Sequence, residues 1–122
     1  MTTITSTQRY NNRMNHLFDT CIMTQKCEAL RQLMEAQTKE RYIKEFGIDN
    51  FPVHERYCIV NIKAGKKYTK IDRGSSGVYM VDNDGQIFGI KAYGVIHRGY
   101  YYGTLDTINQ YNWGGYTARK IN

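Results

Sequence analysis

The sequence predicts an α+β fold: two N-terminal helices packed on a C-terminal antiparallel β-sheet of four to six short strands. Two observations carry that prediction. Apolar residues recur at three- and four-residue steps as far as Phe46 and then give way to short β-branched and aromatic runs. Composition shifts at the same place, since nine of the eleven tyrosines and ten of the eleven glycines lie beyond residue 54.

At 122 residues the chain fits one domain with a core large enough to need no disulfides. Within it, residues 1–6 read as a flexible N-terminus, 7–47 as the helical part and 55–122 as the mainly β part. Tyr10, Met14, Leu17, Phe18, Cys21 and Ile22 form the stripe of a first amphipathic helix, which Ser6 or Thr7 would cap. A second stripe runs through Cys27, Leu30, Leu33 and Met34 to Tyr42, Ile43 and Phe46. Thr24 would be its N-cap, Gly47 its terminating glycine, and Ile48 would close the hydrophobic contact that follows such a glycine. No Gly or Pro separates the two stripes, so one bent rod and a hairpin near Thr20 to Thr24 both fit; two helices is the preferred reading.

Strands begin after Glu55. Arg56 to Lys63 is β-branched and aromatic, and a second strand runs from Lys67 to Asp72 after an Ala64-Gly65 turn. Val78 to Val81 and Gln86 to Lys91 flank Asp82-Asn83-Asp84-Gly85, a loop whose Asp-Gly ending marks a hairpin. A further hairpin is expected at Arg98-Gly99, between Val95-Ile96-His97 and Tyr100 to Tyr102. Thr104 to Tyr111 reads as a short helical turn capped by Thr104, followed by Trp113-Gly114-Gly115-Tyr116 and the basic Arg119-Lys120.

Several function classes find little material. Cys21, Cys27 and Cys58 are odd in number and lack CxxC spacing, as expected of reduced thiols in the cytoplasm; a Cys21–Cys27 bridge would span more than one helical turn. Met1 to Ser6 is polar with no signal-peptide core after it, and no segment is long and apolar enough to span a bilayer. His16, His54 and His97 lack metal-ligand spacing, and an exposed histidine is the simpler reading of His97 beside Arg98. Beyond Glu55 the only carboxylates are Asp72, Asp82, Asp84 and Asp106, too few for a two-metal nuclease, and the Asp82 to Gly85 loop lacks the bidentate glutamate of a calcium site. The expectation is a non-enzymatic protein with no catalytic constellation, cofactor or metal.

The charge is informative. The formal net charge is +6, and nearly all of it lies beyond residue 54, where ten Lys/Arg face five Asp/Glu. Residues 63 to 73 hold Lys63, Lys66, Lys67, Lys70 and Arg73 against Asp72, with Tyr68 among them. Cations beside a ring suit a phosphate backbone and a stacking base; a solvated edge strand guarded by lysines is the alternative. Arg73-Gly74-Ser75-Ser76-Gly77 reads either as an anion-binding nest or as a plain strand connection, and no Walker loop is present. The rings Tyr93, Tyr100, Tyr101, Tyr102, Tyr111, Trp113 and Tyr116 suit base stacking, a protein-binding hot spot, or the core. Strand alternation puts Tyr100 and Tyr102 on one face and Tyr101 on the other.

From Lys67 to Trp113 the chain carries Gly77-x-Tyr79-x-Val81-Asp82, Gly85-x-Ile87, Gly89-Ile90-Lys91-x-Tyr93-Gly94 and Gly103-Thr104-Leu105-Asp106-Thr107. Over residues 67–113 it resembles uncharacterised small accessory proteins of tailed bacteriophages. That resemblance implies a viral accessory protein in the cytoplasm of an infected bacterium, and it transfers no functional residues.

Two partner classes follow. The first is nucleic acid, or a host nucleoprotein complex, engaged through Lys63, Lys66, Lys67, Tyr68, Lys70, Arg73 and Arg98 with Tyr100, Tyr101, Tyr102 and Trp113. The second is a host defence protein, inhibited in the anti-CRISPR manner by an aromatic patch anchored on Tyr100, Tyr101, Tyr102 or Trp113. A third class, a small nuclease or a binder of cyclic nucleotides, would use the Arg73 to Gly77 nest. The first reading requires the charged segment 63–73 and the ring segment 93–116 to meet on one face.

Overall fold

The computed structural model describes the backbone of residues 6–121 and the side chains of residues 22–121. The expectation for the N-terminus at residues 1–6, the Ser6 or Thr7 cap, the Tyr10 to Cys21 stripe, His16 and any Cys21–Cys27 bridge fall outside the described residues or side chains. The α+β class holds. Two helices, α1 (Ser6–Phe46) and the short α2 (Phe51–His54), precede a five-stranded antiparallel sheet, and a two-stranded sheet completes the fold.

The break expected near Thr20 to Thr24 is absent, and α1 runs through it. Nothing there interrupts the backbone, and Cys27, Leu30, Met34 and Thr38, all buried, extend one stripe at steps of three and four. Arg31 reinforces the helix by pairing with Glu28 and, at 3.0 Å, with Glu35. At the C-terminus the Gly47 amide donates to the Ile43 carbonyl at 2.8 Å, as expected of a terminating glycine. Ile48 does not close the contact: it is 70% exposed, because a 3-10 turn (Ile48–Asn50) leads instead to Phe51, which enters the core.

A second 3-10 turn, Glu55–Tyr57, occupies the start of the strand expected from Arg56, so β1 begins later, at Val60–Ala64. The helical path set by Pro52 continues through Cys58, whose backbone is still helical and whose side chain is buried. The meander proceeds through β2 (Tyr68–Arg73), β3 (Ser76–Asp82), β4 (Gln86–Ala92) and β5 (Val95–Thr104), each paired with the next. The Asp82 carboxylate shapes the β3–β4 turn by accepting from the amides of Asp84 and Gln86 at 3.0 and 2.8 Å.

The hairpin expected at Arg98-Gly99 does not form. The reversal lies at Tyr93-Gly94, where Gly94 has φ 77°, and β5 then runs as one strand of ten residues. Within it Gly89 pairs with His97 while its neighbour Phe88 pairs with Tyr101, so Arg98, Gly99 and Tyr100 are extra residues with no opposite number on β4. This wide bulge absorbs the turn-like Arg-Gly pair without reversing the chain. Beyond β5, Thr104 Oγ1 accepts from the Asp106 amide at 3.2 Å and a 3-10 turn follows at Ile108–Gln110. Strands β6 (Tyr111–Asn112) and β7 (Arg119–Lys120) then pair with each other.

The core lies between α1 and one face of the sheet. Cys27, Leu30 and Met34 meet Val60, Ile71, Tyr79, Val81 and Ile87 there, together with Trp113 and Ala118 from the C-terminal segment. Polar ties fix the register of the layers. Glu35 accepts from the Val60 amide at 2.9 Å, Gln37 accepts from the Trp113 amide at 2.6 Å, and the Tyr79 hydroxyl accepts from the Ala118 amide at 2.8 Å. Among the described residues no helix is long and apolar enough to cross a membrane.

Candidate nucleic-acid interface

The face of the sheet turned away from α1 collects the charge. Pairing places Lys63 opposite Lys70, Lys70 opposite Met80, Met80 opposite Phe88 and Phe88 opposite Tyr101, so one row crosses all five strands. At the usual strand spacing this row is about 19 Å long. Met80 and Phe88 are buried in its middle, and cations and half-exposed rings lie around them.

Two units of cations and rings make up that surround. In the first, Tyr93 reaches from the β4–β5 turn across Gly77, where a Cβ would stand 2.8 Å from the ring and force it away. The Lys63 and Lys70 ammonium groups lie 5.7 and 5.1 Å from the Tyr93 ring centroid. Opposed lysines repel, and here the ring and Asp72 offset that repulsion. Asp72 Oδ2 lies 3.5 Å from Lys63 Nζ and accepts from the Tyr93 hydroxyl at 3.1 Å; Lys63 donates to that hydroxyl at 3.2 Å. The hydrogen bond to Tyr93, seconded by Asp72, holds the Lys63 ammonium above the ordinary lysine range, so it stays charged at neutral pH.

In the second unit the β5 bulge delivers Arg98, which donates to the Tyr68 hydroxyl at 2.6 Å. Its guanidinium lies 5.3 Å from the Phe88 ring and 5.9 Å from the Tyr68 ring, while Lys67 Nζ approaches Tyr68 at 5.7 Å. Tyr101 leans on Phe88 with centroids 5.6 Å apart and remains 50% exposed, as Tyr93 does at 52%. Lys66 is exposed in the adjoining β1–β2 turn. Segments 63–73 and 93–116 therefore do meet on one face, through Lys63, Lys67, Tyr68 and Lys70 on one side and Tyr93, Arg98 and Tyr101 on the other.

Four of the expected site residues lie elsewhere. Trp113 is 0% exposed, because its indole donates to the Ile108 carbonyl at 2.9 Å and packs edge-on against Tyr79; it is a core residue and no surface anchor. Tyr102 is half-buried on the helix-facing side, also against Tyr79. Tyr100 shares that side, stacked on His97 with centroids 4.3 Å apart. Arg73 turns inward and donates to the carbonyls of Trp113 and Gly115 at 2.7 and 3.0 Å, so the lysine face lacks it. The Gly74 amide of the expected nest donates out of the β2–β3 turn to the carbonyl of Ile59, just before β1, at 2.7 Å.

Tyr93 also lies on this face; the sequence groups it with the other rings but gives no reason to single it out as a contact residue. Its signal is faint: a tyrosine beside the glycine of a hairpin turn, able to lean over a glycine on β3, the strand next to β4. Comparison with family models, curated proteins and solved structures finds no match to this chain.

Proposed function

We propose that this chain is a non-enzymatic binding protein whose outer sheet face holds a strand of nucleic acid. One observation carries the reading: Lys63, Lys67, Lys70 and Arg98 alternate with the rings of Tyr68, Tyr93 and Tyr101 on one solvent-facing surface, and Asp72, the carboxylate beside Lys63, is buried. The cations would track phosphates while the rings stack bases, an arrangement suited to single strands, whose bases are free. In the bacteriophage setting implied by the resemblance, the same face would engage the nucleic acid of a host nucleoprotein.

Fluorescence anisotropy with labelled single- and double-stranded oligonucleotides across a salt series tests this. If the four cations contact phosphates, log K for a single strand falls against log salt with a slope of about −2 to −3. Tyr101→Ala removes one stacking platform and weakens binding by about 1–3 kcal/mol. Lys67→Glu with Lys70→Glu abolishes it at moderate salt. No shift with any probe, or an affinity indifferent to salt, refutes the proposal. A host protein retained in a pull-down after nuclease treatment would point instead to the inhibitor reading, with the rings as protein anchors.

A further inference from the structure

On the opposite side of the sheet lies a cleft of about 640 Å³, lined by Arg41, Arg73, Tyr42, Tyr57, Tyr100 and Tyr102 among others. It opens between the C-terminal end of α1, the bulged part of β5 and the segment following Trp113. Its volume falls within the range of small-molecule sites. Gly89 keeps it open, since a Cβ there would stand 3.0 Å from Tyr100 Cβ and 3.4 Å from the Tyr102 ring.

The electrostatics of this cleft are unbalanced. Among the described residues no Asp or Glu lines it. Arg73 forms no ion pair among the described residues; each of its two terminal nitrogens gives one of its two N–H groups to a backbone carbonyl, and its Nε is buried without a hydrogen-bond partner. Arg41 donates to the Gly114 carbonyl and has Glu45 only at 3.7 Å, outside the lining. A desolvated guanidinium with no counter-charge is costly, and burial with Arg41 nearby pushes the Arg73 pKa down. An anion from outside would supply the missing charge, and the surrounding tyrosine rings would take a flat aromatic group joined to it.

We propose that the cleft binds a nucleoside monophosphate, free or as the phosphorylated end of a strand, with its phosphate toward Arg73 and Arg41 and its base among the tyrosines. The site is separate from the lysine face and does not depend on it.

Isothermal titration of the whole chain with AMP, GMP, CMP and UMP tests the proposal, with inorganic phosphate, the free nucleosides and a 5′-phosphorylated oligonucleotide as comparison ligands. At least one monophosphate should saturate the protein below about 1 mM, with inorganic phosphate and the matching nucleoside each at least about tenfold weaker. Tyr100→Ala, at a 57% exposed position, should weaken binding about tenfold or more by removing a ring. Ser76→Glu, at an exposed rim position, should abolish it by neutralising the arginines while leaving the circular dichroism spectrum unchanged. Lys67→Glu with Lys70→Glu should leave monophosphate binding intact even where it abolishes binding of unphosphorylated strands. Tighter binding of the phosphorylated oligonucleotide than of its unphosphorylated twin, lost in Ser76→Glu, would identify the strand end as the source. Saturation by inorganic phosphate alone, equal binding of nucleoside and nucleotide, or no heat from any monophosphate overturns the assignment. Loss of monophosphate binding in the lysine variant, or its persistence in Tyr100→Ala, overturns it too.

Discussion

Replacing Tyr93 by Phe removes the hydroxyl that ties the β4–β5 turn to Asp72 and Lys63 on the outer face. The ring stays, and with it the approach of Lys63 and Lys70; only the hydroxyl goes. That hydroxyl donates to Asp72 Oδ2 at 3.1 Å, and the other carboxylate oxygen, Oδ1, is already buried without a partner. After the substitution Asp72, itself buried, keeps Lys63 at 3.5 Å as its side-chain partner among the described residues. A hydrogen bond to a charged group contributes about 1.5–3 kcal/mol, and water reaching the half-exposed ring lowers the expected cost to about 1–2 kcal/mol. Urea denaturation would show this as a midpoint lower by about 0.5–1 M with an unchanged slope. The same substitution in an Asp72→Asn background should cost less than about 0.5 kcal/mol, because the charge that made the bond strong is gone. Equal costs in the two backgrounds, or none in the parent protein, would show that the hydroxyl does not act through the Asp72 carboxylate.

Other outcomes follow from the core. Trp113, the single tryptophan, should emit at short wavelength in the folded protein and shift red on unfolding, and Trp113→Ala should cost about 3–5 kcal/mol by calorimetry or denaturant titration. Burial pushes the Tyr79 phenol up to about 12 from an ordinary 10.0, so the unfolded chain releases this proton first. Stability from this group is therefore fully present below pH 10 and declines as pH rises to about 12, by about 2–3 kcal/mol; the raised Lys63 changes stability in the same direction near that window. A midpoint constant from pH 9 to 12 would contradict that. Burial raises the Cys27 and Cys58 thiols, so both should resist alkylation until denaturant is added, as peptide mass spectrometry would show.

The meander was legible because its local signals agree. Asp82 to Gly85 carries turn chemistry, the flanking segments alternate, and the tyrosines and glycines mark where the helix gives way to strands. Features decided by distant partners were not legible. The stripes on either side of Thr20 to Thr24 read as two helices, but a helix ends only where something ends it, and Gly47 is the first residue that does. Arg98-Gly99 resembles a turn locally; whether it reverses the chain or bulges depends on what β4 offers opposite. Trp113 reads as a surface anchor because aromatic residues dominate hot spots, yet Gln37, Ile108 and Tyr79 hold it inside. The meeting of charge and rings was an expectation from composition, but its key contact depends on Tyr93 leaning over Gly77, which no spacing rule predicts.

The three-residue offset in β5 leaves Arg98 and Tyr100 out of step with the ladder while sending them to opposite sides of one sheet. Their backbone positions therefore sit between the lysine face and the cleft, touching each through its own side chain. Deuterium uptake there should outpace that of the paired residues on either flank. Each surface, when occupied, should slow that uptake from its own side, so this short segment serves as a single built-in gauge for both.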